Sequence, residues 1–149
     1  MAAQDRTLAS TLAEAATSHE TLGWPAVDTE VGELRRHFHS ARTPQDYRAV
    51  GNDCVHIMEA LSRQVYDHAR HTPAGEEEPP VASTKTRLDR YVRARLPGSA
   101  SAEIRKFARA TIELAQAVKH RGTPTRTEAG VLSDAVILLA NMLRRLEGS

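Results

Sequence analysis

The segment from Thr125 to Leu146 constrains this chain more than any other, because it is apolar around most of a helical circumference. Leu132, Val136, Leu139, Leu143 and Leu146 recur at intervals of four and three, while Ile137, Leu138 and Ala140 cover much of the remaining surface. Its start is marked by Thr125 and Glu128, a pairing in which each side chain satisfies a backbone N–H of the first turn. Asn141 alone interrupts the apolar run from Ala135 to Leu143. A helix dressed this way needs neighbours on more than one side, so it is either the centre of a bundle or one side of a dimer seam.

The remaining chain supplies such neighbours. A thin amphipathic helix is expected over Asp5–Ser18, carried by Leu8 and Leu12. Trp24 and Pro25 open a second, ending near Ala41, with Val27, Val31, Leu34 and Phe38 in phase and Pro25 in the first turn. Thr43 and Pro44 start the longest, whose stripe of Tyr47, Val50, Cys54, Met58, Leu61 and Val65 continues to about Ala69. Gly51 inside it costs helix stability, and predicts that another helix approaches closely there. Pro73, Gly75, Glu76–Glu78, Pro79 and Pro80 make a long, acidic and mobile loop. Ser83 or Thr84 then caps a short basic helix to Leu96, and Ser99 or Ser101 begins another that runs to His120.

The expected fold is an all-α, up-and-down bundle of about six helices in one domain over residues 1–149, with N-terminal helices over 1–42 and a core over 43–147. Aromatic residues make up only 4% of the chain, so the core must come from Leu, Val, Ile and Ala, which suits helix packing. With 40% apolar and 26% charged residues, usage is that of a globular protein and not of a disordered or membrane-spanning one. The first residues lack a basic segment followed by an apolar run, and Cys54 is the one cysteine, so a reducing cytoplasm is the expected setting.

Cys54 lies on the apolar stripe and reads as a buried small hydrophobe. His37 and His39 diverge at a spacing of two, and His68 with His71 lacks an accompanying carboxylate, so neither pair predicts a metal site and His68 and His71 are expected at an exposed helix end. No cofactor is expected. A small ligand inside the bundle would find no polar group beyond Asn52, His56 and Asn141.

Charge is unevenly placed. From Ser83 onward there are 13 Arg and Lys against 6 Asp and Glu, whereas residues 1–82 hold 7 against 13. The basic half has the sign that attracts RNA, and equally the two halves could neutralise each other inside the fold or across a dimer. Lys85, Arg87, Arg90, Arg93 and Arg95 beside Tyr91 have the pattern of a phosphate-tracking surface, or of a solvated helix face. Arg109 carries the same two meanings, as an outlying phosphate contact or as the partner of Glu113.

The densest cluster is the turn Lys119-His120-Arg121-Gly122-Thr123-Pro124-Thr125-Arg126. Lys119, Arg121 and Arg126 stand there beside the first turn of a helix, whose N–H groups favour an anion. Histidine is the side-chain type that changes charge near neutral pH, so His120 is the candidate acid or base for phosphodiester cleavage by a 2′-OH. The structural alternative is that cations cap the preceding helix and that Glu128 fills the anion position.

A long helix opening Asp46-Tyr47-Arg48-Ala49-Val50-Gly51-Asn52-Asp53-Cys54, a short helix, and two further helices joined by the turn from Leu114 to Arg121 resemble the HEPN superfamily, closest to abortive-infection-like bacterial members, over about residues 43–147. The resemblance implies a homodimer, here through the final helix, and a metal-independent endoribonuclease or RNA-binding role in a bacterial defence or toxin–antitoxin system with a cognate protein partner. His120 matches the family's histidine. The family's arginine, separated from the histidine by four to six residues, is replaced by Glu113, Leu114 and Ala115, so its part would pass to Lys119, Arg121 or Arg126. The other class of function open to this chain is a non-catalytic interaction module that pairs through the last helix.

Overall fold

The computed structural model describes residues 21–148, and the helix expected over Asp5–Ser18 lies outside them. Among the described residues there are six α-helices and no strand: α1 (Pro25–Ser40), α2 (Pro44–Val65), α3 (His68–His71), α4 (Thr84–Arg95), α5 (Ala102–His120) and α6 (Arg126–Gly148). A single 3-10 turn, Gly98–Ser101, leads into α5. The all-α bundle expected from the periodicity is what forms.

Helix α2 starts where Thr43 and Pro44 predict. Asp46 N–H donates to Thr43 Oγ1 at 3.2 Å, while Thr43 N–H and Arg42 N–H donate to Asp46 Oδ2 at 3.1 and 2.8 Å. Those two backbone donors hold the Asp46 carboxyl below the usual carboxylate range. The helix stops four residues short of the expected end. Tyr66 and Asp67 both adopt extended backbone, and the Asp67 side chain accepts from Ala69 N–H at 2.9 Å, capping the single turn α3. This break turns His71 inward. It is 7% exposed, edge-on to Tyr91 with ring centroids 5.0 Å apart, so the expected pair of exposed histidines is corrected to one, His68.

The centre of the bundle is α2, which packs against α1, α4, α5 and α6. Val50, Cys54, Ile57, Met58 and Leu61 of α2 are almost wholly buried. Helix α6 buries Leu132, Val136, Leu139 and Leu143 on the face predicted for it, yet leaves Val131 55% and Leu138 49% exposed. Helix α6 is therefore not the centre of the bundle but flanks it. The α2–α5 crossing is set by Gly51: a Cβ built there meets the backbone of Lys119 at 2.6 and 2.9 Å and of Val118 at 3.1 Å. The close approach predicted for this glycine is real, and it seats the C-terminal end of α5.

Candidate functional site

That end of α5 is the cationic turn. Arg121 leaves the helix in extended backbone, and Arg48 from α2 donates to the Gly122 carbonyl, tying the turn to the central helix. Thr125 N–H donates to Glu128 Oε1 at 3.0 Å and Glu128 N–H to Thr125 Oγ1 at 3.1 Å, which is the expected box at the start of α6. Glu128 thereby places a carboxylate at the helix N-terminus where an anionic ligand would sit, and it also pairs with Arg121. Arg126 stacks its guanidinium over the Phe38 ring, 4.5 Å from the centroid, and donates to the Ala41 carbonyl at 3.1 Å.

The structure thus gives two of the three fixed cations of the turn protein partners. Lys119 and His120 differ: His120 is exposed, and neither side chain has a hydrogen-bond or ion-pair partner among the described residues. Arg109 is not brought to the turn. It lies eleven residues before His120, roughly 16 Å along the helix, and its partner is Asp89 at 3.6 Å, not Glu113. Glu113 pairs instead with Lys85 at 3.3 Å.

The arginines of α4 are not free for phosphate, because each has a protein partner. Arg87, only 6% exposed, donates to the Pro79 and Pro80 carbonyls and reaches Glu78 at 3.3 Å. Arg90 pairs with Glu76 at 2.7 Å, Arg93 with Asp89 at 3.4 Å, and Arg95 donates to the carbonyls of Leu146 and Glu147. The acidic loop of residues 72–83 is thereby fastened to α4, and part of the charge difference between the halves of the chain is balanced within the fold.

A polar contact that sequence reasoning missed joins α1 to α2. His37 Nδ1 lies 2.6 Å from Asp53 Oδ2, with Glu33 Oε2 3.5 Å from the other ring nitrogen. Asp53 sits among the buried residues of α2 at 9% exposure, and a carboxylate in that position is itself the signal that a basic partner faces it. His39 does not join this contact, and among the described residues no group of His, Cys, Asp and Glu could hold a metal. Asn141 donates to the Ile137 carbonyl at 2.8 Å, and His56 is exposed, so the polar groups named for a ligand inside the bundle do not converge on one.

Fold and site together define a helical bundle with a fastened cationic turn at one end and an open apolar stripe along its last helix. No protein-family model, curated protein or solved structure matches the chain.

Proposed function

We propose that this protein is a non-catalytic helical interaction module that pairs with a second copy of itself through α6. The observation that carries this is the exposure of Val131 and Leu138 on a helix whose opposite face is fully buried. These residues, with half-buried Ala135 and Met142, make one stripe about three turns long. A two-fold axis lets the same stripe supply both sides of a seam, the simplest closed arrangement for a single exposed face. In light scattering after size exclusion the parent elutes at about twice its chain mass of 16.4 kDa, and Leu138→Glu elutes at 16.4 kDa with unchanged helical circular dichroism. A parent that stays monomeric through the micromolar range refutes the proposal.

A second reading is favoured by the open pair Lys119 and His120. In an HEPN-like protein, His120 would serve as acid or base while Lys119 holds a phosphate, with Arg121 and Arg126 adding charge through partners that RNA would have to displace. RNA incubated with the protein in EDTA distinguishes the two readings. Cleavage that disappears in His120→Ala, or binding that falls steeply between two salt concentrations, supports the RNA reading; neither leaves the interaction module alone.

A further inference from the structure

The seam between α4 and α5 is laced by charge, and the charges do not match along its length. At one end Lys85 and Glu113 pair one to one at 3.3 Å. Further along, three guanidiniums meet a single carboxylate. Arg93, on the next turn of α4, reaches Asp89 Oδ2 at 3.4 Å, whereas Arg105 and Arg109 of α5 share Oδ1 at 3.5 and 3.6 Å. Charge-assisted hydrogen bonds form at about 2.7–2.9 Å, so the two α5 arginines lean towards that oxygen without closing on it. Among the described residues neither pairs with another carboxylate. With Arg93 and Asp89 balancing each other, Arg105 and Arg109 remain as two cations in excess, one turn apart on the same helix, where like charges repel.

These two arginines are held differently. The Arg105 side chain is 22% exposed, and its Nε donates at 3.1 Å to the hydroxyl of Ser101, which is fully buried and itself donates to the Gly98 carbonyl of the 3-10 turn. Arg105 is thereby preset, with Nη1 turned across the seam towards Asp89. Arg109 makes no hydrogen bond to a described residue, and its side chain, 58% exposed, keeps its donors open to solvent. One fixed and one open guanidinium converging on one point form a clamp for a single anionic centre, and the planar donor fork of guanidinium suits phosphate. A row of phosphodiesters spreads single charges along a line, whereas an excess of two at one point is neutralised by one phosphate group carrying two. We propose that Arg105 and Arg109 bind a dianionic phosphate, as the free ion or a monoester, beside the Arg93–Asp89 pair. Neither the α6 stripe nor the turn at His120 contributes to this site.

The test is a titration of the 15N-labelled protein at pH 7.5 and constant ionic strength with inorganic phosphate, with methyl phosphate, and with dimethyl phosphate as the singly charged match. Both dianions are expected to shift the Nε–H signals of Arg105 and Arg109, and to bind at least about tenfold more tightly than dimethyl phosphate, the worth of one hydrogen bond to a charged group. Tighter binding of inorganic phosphate assigns the free ion, and tighter binding of methyl phosphate an ester. Arg109→Gln, at an exposed position, weakens both dianions about tenfold. Asp89→Asn removes the carboxylate that competes for the clamp and tightens both, a result that a purely structural ion-pair network would not give. Arg36→Gln, an exposed arginine of α1, leaves binding unchanged. Unmoved Nε–H signals, dimethyl phosphate binding as tightly as the dianions, Arg109→Gln or Asp89→Asn binding them like the parent, or Arg36→Gln weakening them as much as Arg109→Gln would each overturn the proposal.

Discussion

Replacing Gly51 with Ala pits a local gain against a nonlocal loss. In an exposed helix interior the change stabilises by about 1 kcal/mol. Here the new Cβ would lie 2.6 Å from Lys119 N, and bringing it to ordinary contact at 3.4 Å requires α2 and α5 to separate by about 0.8 Å. Both obstructing atoms on Lys119 belong to the backbone, so no rotamer change relieves them. Overpacking of this kind costs about 1–3 kcal/mol, and a gap approaching 1 Å forfeits roughly a quarter to a half of the attraction between atoms on either side. Since α5 is among the principal neighbours of α2, the loss exceeds the gain, and a net destabilisation of about 2 kcal/mol follows. For a chain of this size that lowers Tm by about 4–8 °C. Gly32→Ala is the control, because its Cβ would meet only Arg36 Nη1, at 3.9 Å, and it is expected to raise stability by about 1 kcal/mol. Thermal and urea unfolding of both variants measure the effect. If Gly51→Ala is as stable as the parent, the helices do not cross as closely as Gly51 requires.

Three further perturbations test other parts of the fold. His71 Nδ1 accepts from Asp67 N–H at 2.8 Å, and burial followed by the nearby Arg70 charge pushes its pKa below 6.5; the unfolded chain therefore takes up a proton first on acidification. Stability from this group is present above about pH 6.5 and is lost as pH falls through the folded pKa, so urea midpoints should drop below pH 6.5 in the parent and drop less in His71→Gln. Burial pushes the Cys54 thiol up to about 12 from 9.0, so it should resist iodoacetamide at pH 8 until the protein unfolds, and stability should decline between about pH 9 and 12, where only the unfolded chain has released the proton; rapid native-state labelling would contradict this. Arg87→Met keeps the buried stem but removes the donors to Pro79 and Pro80, so a glutamyl endopeptidase should cut at Glu76–Glu78 many times faster than in the parent; equal rates would show that Arg87 does not fasten the loop.

What the sequence made legible is what depends on near neighbours. Pro25, the Thr43 cap with Pro44, the Thr125–Glu128 box, and the apolar stripes of α2 and α6 each act within one or two turns, and each appears where the spacing places it. Gly51 was legible for another reason, because a glycine inside a good helix is expensive unless something packs against it. The break at Tyr66 was hidden because the apolar period continues through it; Asp67 ends the helix by capping the next turn, a competition that periodicity does not register. Partner choice among charges was also hidden. Arg109 had Glu113 within reach on its own helix and pairs with Asp89 of α4, since which side chains meet depends on helix rotation. At the turn, the cluster of cations was plain in the sequence, but its occupation by Glu128, Phe38 and Ala41 required the tertiary fold.

The fastening of the acidic loop to α4 shapes the field the molecule projects into solution. Taken as separate segments, the two halves of the chain would form a strong dipole, and the basic half would draw polyanions from a distance. Folding places Glu76 and Glu78 against Arg90 and Arg87, so each opposing pair lies within a few ångströms. At a separation beyond the Debye length, about 8 Å in physiological salt, such pairs contribute almost nothing to the potential. The pairing therefore takes Arg87 and Arg90 out of any long-range attraction for polyanions.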